Sequence, residues 1–302
     1  MQNINEVLAD IMSDRRKKVI LDTDTYNEVD DQFALAYAMR LAAEASPKLD
    51  LLSVNAAPFK NSRSTSPLDG MEKSYDEIIR IVNFIEPNSK LPIYRGSTRF
   101  MTAKDAPEET PAARNIIDTA LASDERIYVV TIGAPTNVAA ALTICPEIKE
   151  KIAVVWLGGT ALHWPHAREF NMMQDIKSSQ IILDCGVPTA IIPCAGVCTH
   201  LATTIPELEY YLRGKNELCD YLIDIVKSYT SDPYGWSKVI WDVSAVACLS
   251  LPNSMQRVIV PTPILTDDCY YANDQARHPF IYIRHMNRDV IFADLFRKLS
   301  QQ

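Results

Sequence analysis

Four carboxylates crowd one short stretch near the amino terminus, Asp22, Asp24, Asp30 and Asp31, within KKVILDTDTYNEVDDQFALAYA. Like charges at this density repel one another unless a cation or shared protons compensate them. Asp and Asn oxygens suit a hard cation, Ca2+ or Mg2+, and the lack of a nearby His or Cys argues against zinc. The competing reading is a solvated acidic loop in which Asp30 caps the next helix. Two other places carry groups able to recognise a ligand. In TALHWPHAREFN, Glu169 and Asn171 alternate around Phe170, which in an extended segment puts both polar side chains on one side. A polar surface loop would look the same. Further on, Trp241-Asp242 places an aromatic and an acid at a helix start.

These groups need a scaffold. Val19-Ile20-Leu21 is a short apolar run, and Phe33, Ala34, Ala36, Tyr37 and Ala38 fall at helical spacing, so the acids lie on a loop between a buried strand and a helix. In a parallel α/β sheet that loop sits at the carboxyl end of its strand, where ligands bind. The pattern then repeats. Strands are predicted over 50–55, 91–94, 127–132, 152–157, 189–192, 258–260 and 281–283, and helices over 71–84, 112–121, 138–142, 176–183, 206–229, 243–249 and 290–299. Alternation of this kind predicts an α/β fold, an open and mostly parallel Rossmann-like sheet with helices on both faces, formed as one domain over 1–302. The loop AAPFKNSRSTSPLDG is expected to border the acidic pocket, and 102–111 reads as an exposed, lid-like loop. Thr136 is placed as a helix cap after Gly133, and Gly158-Gly159 leave room for a ligand or another backbone.

Composition narrows the partners. The chain has 302 residues, 47% of them apolar, and a net charge of -8 with no Lys/Arg stripe, so nucleic acid and anionic membrane are not expected partners. A small-molecule ligand fits better. Ile4, Val7, Leu8, Ile11 and Met12 share one face of an amphipathic helix over about 3–14, which reads as no signal peptide. No apolar run approaches the roughly 20 residues that span a bilayer. A soluble, cytoplasmic protein is therefore expected, as a homodimer or homotetramer. The odd number of cysteines, seven, fits a reducing compartment, with Cys194 and Cys198 acting as small buried apolar residues.

In identity and order, the early DTD with DD, TIGAPTN after a strand, WLGG, EFN, and WD at a helix start resemble the inosine-uridine preferring nucleoside hydrolase family, from about residue 17 to the carboxyl terminus. The resemblance implies a nucleoside hydrolase type of fold with Ca2+ at the strand ends, and an N-glycosidase that releases ribose and free base from ribonucleosides. By position, Asp24, Asp31, Asp242 and the backbone carbonyl of Ile132 would hold the calcium. Asp24 would also take a proton from the attacking water, Asp30 would hold the ribose, and Glu169 and Asn171 would bind its hydroxyls. The chemistry suits these residue types, because cleavage develops oxocarbenium charge that carboxylates stabilise.

Four departures from the family pattern bear on specificity. TYNEV makes the loop between DTD and DD two residues longer than usual. Ala57 falls where the family has V-A-G-N, so Asn61 replaces that Asn only if the loop is extended. His163 stands where an Asn often contacts the 5′ side of the sugar. Trp241 stands where many members have a His that protonates the departing base; the purine-preferring branch has Trp there as well. An indole has no titratable group near neutral pH, so stacking is what it can offer, and purines are favoured. Trp164, Tyr234 and Trp236 are the candidates for a second stacking aromatic. The alternatives are a non-catalytic or differently specific ribosyl-compound binding protein on the same fold, with Lys60 and Arg63 reaching an anionic group, and a haloacid-dehalogenase-like phosphatase suggested by DTDT.

Overall fold

The computed structural model describes residues 4–102 and 106–301. Eight strands make one sheet: β1 (Lys17–Thr23), β2 (Leu49–Ala56), β3 (Ile93–Arg95), β4 (Ile127–Thr131), β5 (Ile152–Leu157), β6 (Thr189–Ile192), β7 (Met255–Pro261) and β8 (Pro279–Met286). Their order is β3-β2-β1-β4-β5-β6-β8-β7, parallel throughout except for β7, which runs antiparallel to β8 at the edge. Chain order reverses direction between β1 and β4. In doubly wound sheets this switch point opens a crevice beyond the strand ends.

The central strands are apolar along their whole length because both faces are covered. Alternate residues enter opposite layers: Leu21, Val130 and Val155 join Phe33 and Tyr37 on one face, while Ile20, Val129, Val154 and Trp156 join Ile117 and Val138 on the other. The Asp31–Ala42 helix is buried on nearly every side and packs against the Val243–Ser250 helix. Small buried residues in both, Ala34, Ala38 and Ala245 among them, allow close approach. That packing brings two segments more than 200 residues apart in sequence to one end of the sheet, as the bond between Asp30 and Trp241 (|i−j| = 211) records.

Several local expectations need correction. The stretch predicted as one helix over 206–229 divides into Ile205–Leu212 and Glu217–Ser228, because Gly214 takes a left-handed turn (φ +71°) and Asn216 caps the second helix through the Cys219 N–H. Thr136 is the first residue of its helix and not the cap, since its hydroxyl donates to Asp175 instead. Of the lid-like loop, residues 103–105 lie outside the described residues; Glu108 accepts bonds from Thr98, and Thr110 caps the Pro111–Ala122 helix. The amino-terminal helix spans Ile4–Ile11 and buries Val7, Leu8 and Ile11. No helix among the described residues is long and apolar enough to cross a membrane, and all seven cysteines are free.

Candidate active site

β1 ends at Thr23, and the loop that follows turns back over the sheet at the switch point. Asp24 is fully buried, and neither of its carboxylate oxygens has a hydrogen-bond partner. Room for it exists because Gly133, just after β4, has no side chain: a Cβ there would lie 2.9 Å from the Asp24 Cγ. Asp31 opens the next helix and accepts from the Thr23 hydroxyl at 2.6 Å. Asp30 occupies the N-cap position yet makes no side-chain cap bond; its carboxylate accepts from the Trp241 backbone N–H at 3.1 Å. The capping alternative for Asp30 therefore does not describe this loop.

The carboxyl-terminal half supplies the opposite wall. A two-stranded ribbon, Ala202–Thr203 with Lys238–Val239, and the bond from Ile240 N–H to Leu201 carbonyl (2.8 Å) aim Trp241-Asp242 at the early loop. Carboxylate oxygens of Asp30, Asp31 and Asp242 all lie within 4.8 Å of one another. Two helix N-termini thus point at one acidic cluster, a favourable environment for negative charge. Even so, burial and mutual repulsion dominate. Burial first, then Asp31 and Asp30, hold Asp24 well above the usual carboxylate range, and Asp242 is raised in the same way. Asp31 is pushed up to about 7 by burial and Asp30, and Asp30 is raised by burial against the pull of Lys238. Asp22, deeper at the end of β1, is also raised to about 7 by burial, although Asn137 donates to it at 2.9 Å.

Glu169 and Asn171 do meet at the site, but not by alternation along an extended segment. Glu169 caps a one-turn helix, Phe170–Met173, accepting from the backbone N–H groups of Asn171 and Met172 as well as Gly159 (2.7 Å). Gly159 itself needs its glycine: φ is +77°, and a Cβ would sit 2.2 Å from the Tyr271 hydroxyl. The Asn171 amide donates to the carbonyls of Ile132 (2.9 Å) and Leu157 (3.0 Å), tying the ends of β4 and β5 together. Phe170, expected to face the other way, lines the cavity too.

Together these residues enclose a cleft of about 230 Å3. Of the residues nominated from sequence, Asp30, Asp31, Ile132, Glu169, Asn171, Trp241 and Asp242 line it. Asp24 lies just beneath, close enough to Asp31 to raise its own proton affinity. Asn61 stands one layer back, its amide donating to the side chain (2.7 Å) and carbonyl of Asn27, which does line the cleft. His163 is exposed and does not line it, and neither do Trp164, Tyr234 or Trp236. Tyr234 is 95% exposed, and Trp236 stacks on Tyr229 instead.

Sequence reasoning missed Glu28, Arg168 and Cys194 as lining residues and Lys238 as a neighbour. Lys238 is 6% exposed, donates to Glu28 and is held above the ordinary lysine range: burial works against its charge, but Asp30 and Glu28 more than offset it. The available signal was the longer TYNEV loop, which carries Glu28; nothing local marks Lys238.

The donor set is all hard oxygen, and Asp24 offers two buried oxygens without a hydrogen-bond partner. Both features fit Ca2+ or Mg2+, with Asp24, Asp30, Asp31, Asp242 and the Ile132 carbonyl as the groups within reach. Comparison with known proteins agrees with this architecture. The plant nucleoside hydrolase PpNRh1 superposes with a TM-score of 0.76 over 95% of this chain and 99% of its own, at 18% identity. The purine-preferring ribonucleoside hydrolase from Gardnerella vaginalis gives 0.76 over 94% and 98%, at 22% identity. Among curated relatives, the pyrimidine-specific ribonucleoside hydrolase RihB of Escherichia coli is 25% identical over 277 residues, 84% of this chain and 86% of its own length. Residues 19–279 match the sequence model of the inosine-uridine preferring nucleoside hydrolases, and so both halves of the cleft, from Asp22 to Asp242, fall inside the match: the chain belongs to that family of enzymes acting on N-glycosyl bonds.

Proposed function

We propose that this protein hydrolyses the N-glycosidic bond of ribonucleosides, purine nucleosides favoured, with Ca2+ as its cation, and releases ribose and free base. The observation that carries the reading is the buried Asp24 carboxylate without a partner, set beside the convergence of Asp30 and Asp31 with Asp242. When bound, the cation supplies acidification of water and a chelate for vicinal hydroxyls. The chain's own groups do the rest. Asp24 accepts a proton from the attacking water, its affinity raised by burial and its neighbours. Asp30, fixed by the Trp241 N–H, holds the ribose. Glu169 and Asn171 bind hydroxyls from a wall made rigid by three backbone donors and two backbone carbonyls. As the C1′–N bond stretches, the surrounding carboxylates stabilise the positive charge on the sugar.

Trp241 sits at the cleft with its backbone tied to Asp30, and its indole is assigned to stack on the departing base. A purine offers the larger ring surface, which is the basis of the preference. The names of the relatives point both ways, one purine-preferring and one pyrimidine-specific. Asn61 contributes through Asn27, which lines the cleft. The same reading makes the protein a cytoplasmic homodimer or homotetramer built from a single domain. Incubating calcium-loaded protein with a panel of ribonucleosides and measuring reducing sugar tests the proposal: purine nucleosides should give ribose fastest. No sugar from any member of the panel would overturn the hydrolase reading for those substrates.

A further inference from the structure

Two bonds tie the acidic loop to the carboxyl-terminal ribbon like adjacent rungs. The deeper one runs from the Trp241 N–H to Asp30 (3.1 Å), and the outer one runs from the Lys238 ammonium to Glu28. Asp30 is 3% exposed, whereas the Glu28 side chain keeps 36% and lines the same cleft. Its charge is felt at the floor of the cleft, since Glu28 adds to the rise in proton affinity of Asp30, Asp31 and Asp242. The carboxylate is therefore held nearer the mouth, above the acids. Its mounting is fixed from three sides. Lys238 is almost wholly buried and lies 5.1 Å from the centre of the Tyr229 ring. The Arg63 guanidinium donates to the Glu28 carbonyl (2.7 Å) and packs on the Tyr26 ring, and the Asn61 amide donates to Asn27 (2.7 Å). Arg63 is engaged there, and neither it nor Lys60, both offered to an anion by the sequence, lines the cleft. A carboxylate has about four lone-pair positions, so Lys238 and the nearby Tyr229 hydroxyl leave Glu28 with acceptor capacity for a ligand.

The group that Glu28 meets follows from the proposed function, on which this inference rests. With the ribose hydroxyls at the buried aspartates, the base leaves C1′ toward the mouth, along Trp241. Trp241 offers the base a face, and Glu28, tied to the same ribbon, lies at its edge. We infer that Glu28, held by Lys238, is a specificity-determining residue that accepts a hydrogen bond from an N–H carried by the six-membered ring of the base. A ring that presents only lone pairs there leaves a charged acceptor without its donor and is rejected. The favoured substrates are then purine nucleosides with an N–H at position 1 or 6, inosine and adenosine among them. Purine riboside has the same rings and no N–H on its base. Stacking on Trp241 does not separate these compounds, because their ring surfaces match. Glu28 comes from the longer TYNEV loop, so the discrimination belongs to this chain's own insertion.

The test pairs substrates with variants, so that intrinsic differences between the leaving bases cancel. On calcium-loaded full-length protein, Glu28→Met should lower kcat/KM for inosine, adenosine or both about tenfold or more relative to purine riboside, the scale of a hydrogen bond to a charged acceptor. Glu28→Gln, which keeps a neutral acceptor, should retain part of the preference. Because Glu28→Met strands the buried Lys238, the double variant Glu28→Met/Lys238→Met, which replaces both charges by apolar groups, should show the same relative loss. Binding of free ribose, measured by calorimetry, should not follow that loss, as it would if the cleft had simply collapsed. Equal losses with all three nucleosides, or no loss with any, overturn the assignment. The two readings fail separately. Cleavage of nucleosides without dependence on Glu28 leaves the hydrolase standing and removes the base contact. If no nucleoside is cleaved, the hydrolase reading falls, and titration of inosine, adenosine and purine riboside into wild type and Glu28→Met decides the base contact by the same ratio of affinities.

Discussion

The two ends of the sheet carry comparable numbers of acids and treat them in opposite ways. At the amino-terminal ends of β1, β4 and β5 lies a larger polar groove of about 620 Å3, bordered by Asp10, Arg15, Glu125 and Arg126. There two of the acids meet cations: Asp10 pairs with Arg15 and takes the Tyr128 hydroxyl, and Glu125 pairs with Lys18. Burial alone would raise Asp10, but Arg15 and Tyr128 more than offset it and its carboxyl titrates below the usual value. At the carboxyl-terminal ends no cation pairs with Asp24, Asp31 or Asp242; among the described residues they crowd one another and Asp30, with Lys238 drawn to Glu28, and all three titrate high. Cavity size does not separate the two places; what does is that Asp10 and Glu125 have cation partners while Asp30, Asp31 and Asp242 are buried against one another. An acid paired with a cation, as Asp10 is with Arg15, needs nothing from outside, whereas the buried acidic cleft is complete only with protons or a cation.

The comparison can be broken or sharpened by experiment, and the largest effect belongs to Asp24. Asp24→Ala should lower turnover by about 10^2 to 10^4-fold, the usual contribution of a positioned base, and should also abolish thermal stabilisation by calcium. Activity near wild type in a steady-state assay would remove Asp24 from the chemistry. Next comes pH. Asp22 and Asp31 have folded-state values of about 7, above the 3.8 of a free carboxyl. The cation-free fold therefore binds more protons than the unfolded chain in that window. Its stability should be highest near and below the ordinary carboxylate value and should fall as pH rises through about 7. Calcium replaces the protons, so the rise in Tm it gives should grow from about pH 5 to about pH 8. A calcium shift that is independent of pH would mean the aspartates are not its ligands.

Smaller effects follow. Trp241→Ala should cost about tenfold or less in kcat with purine nucleosides and affect pyrimidine nucleosides less, because stacking is worth about 0.5–1.5 kcal/mol. Equal loss with both classes would assign the indole to packing. Lys238→Met leaves Glu28 unpaired and Asp30 without its opposing charge. About 1–2 kcal/mol of stability should be lost in denaturant unfolding, less than for a fully buried pair because Glu28 keeps contact with solvent. Asp10→Asn, at the balanced end, should change stability by under about 1 kcal/mol and leave turnover unaltered. A large loss of activity there would erase the distinction between the two ends.

Much of the fold was legible because it rests on local periodicity. The apolar runs at 127–132 and 152–157 announce strands covered on both faces, and their alternation with amphipathic segments announces a parallel sheet. Where a single residue redirects the backbone, the reading slipped: Gly214 breaks what looked like one helix, and the Glu169 cap turns an apparently extended EFN into a helix start. Glu169 and Asn171 both line the cleft, but through a helix cap and not through alternation along an extended segment.

By itself the sequence determined that four acids would cluster around one strand-to-helix connection, although Asp22 ends up within β1 and Asp31 within the helix, and that the charge among them would need an answer, since that follows from residue type and spacing along a few turns of chain. It also determined which distant pair, Trp241-Asp242, opens a helix. Only the tertiary structure decided that this helix packs against Asp31–Ala42 so that Asp242 closes on Asp30 and Asp31, that Asp24 keeps both oxygens free beside Gly133, and that Lys238 comes up behind Glu28 at the cleft edge. These contacts join residues far apart in sequence, and their energy exists only once the sheet has fixed both partners, so no local pattern carries them.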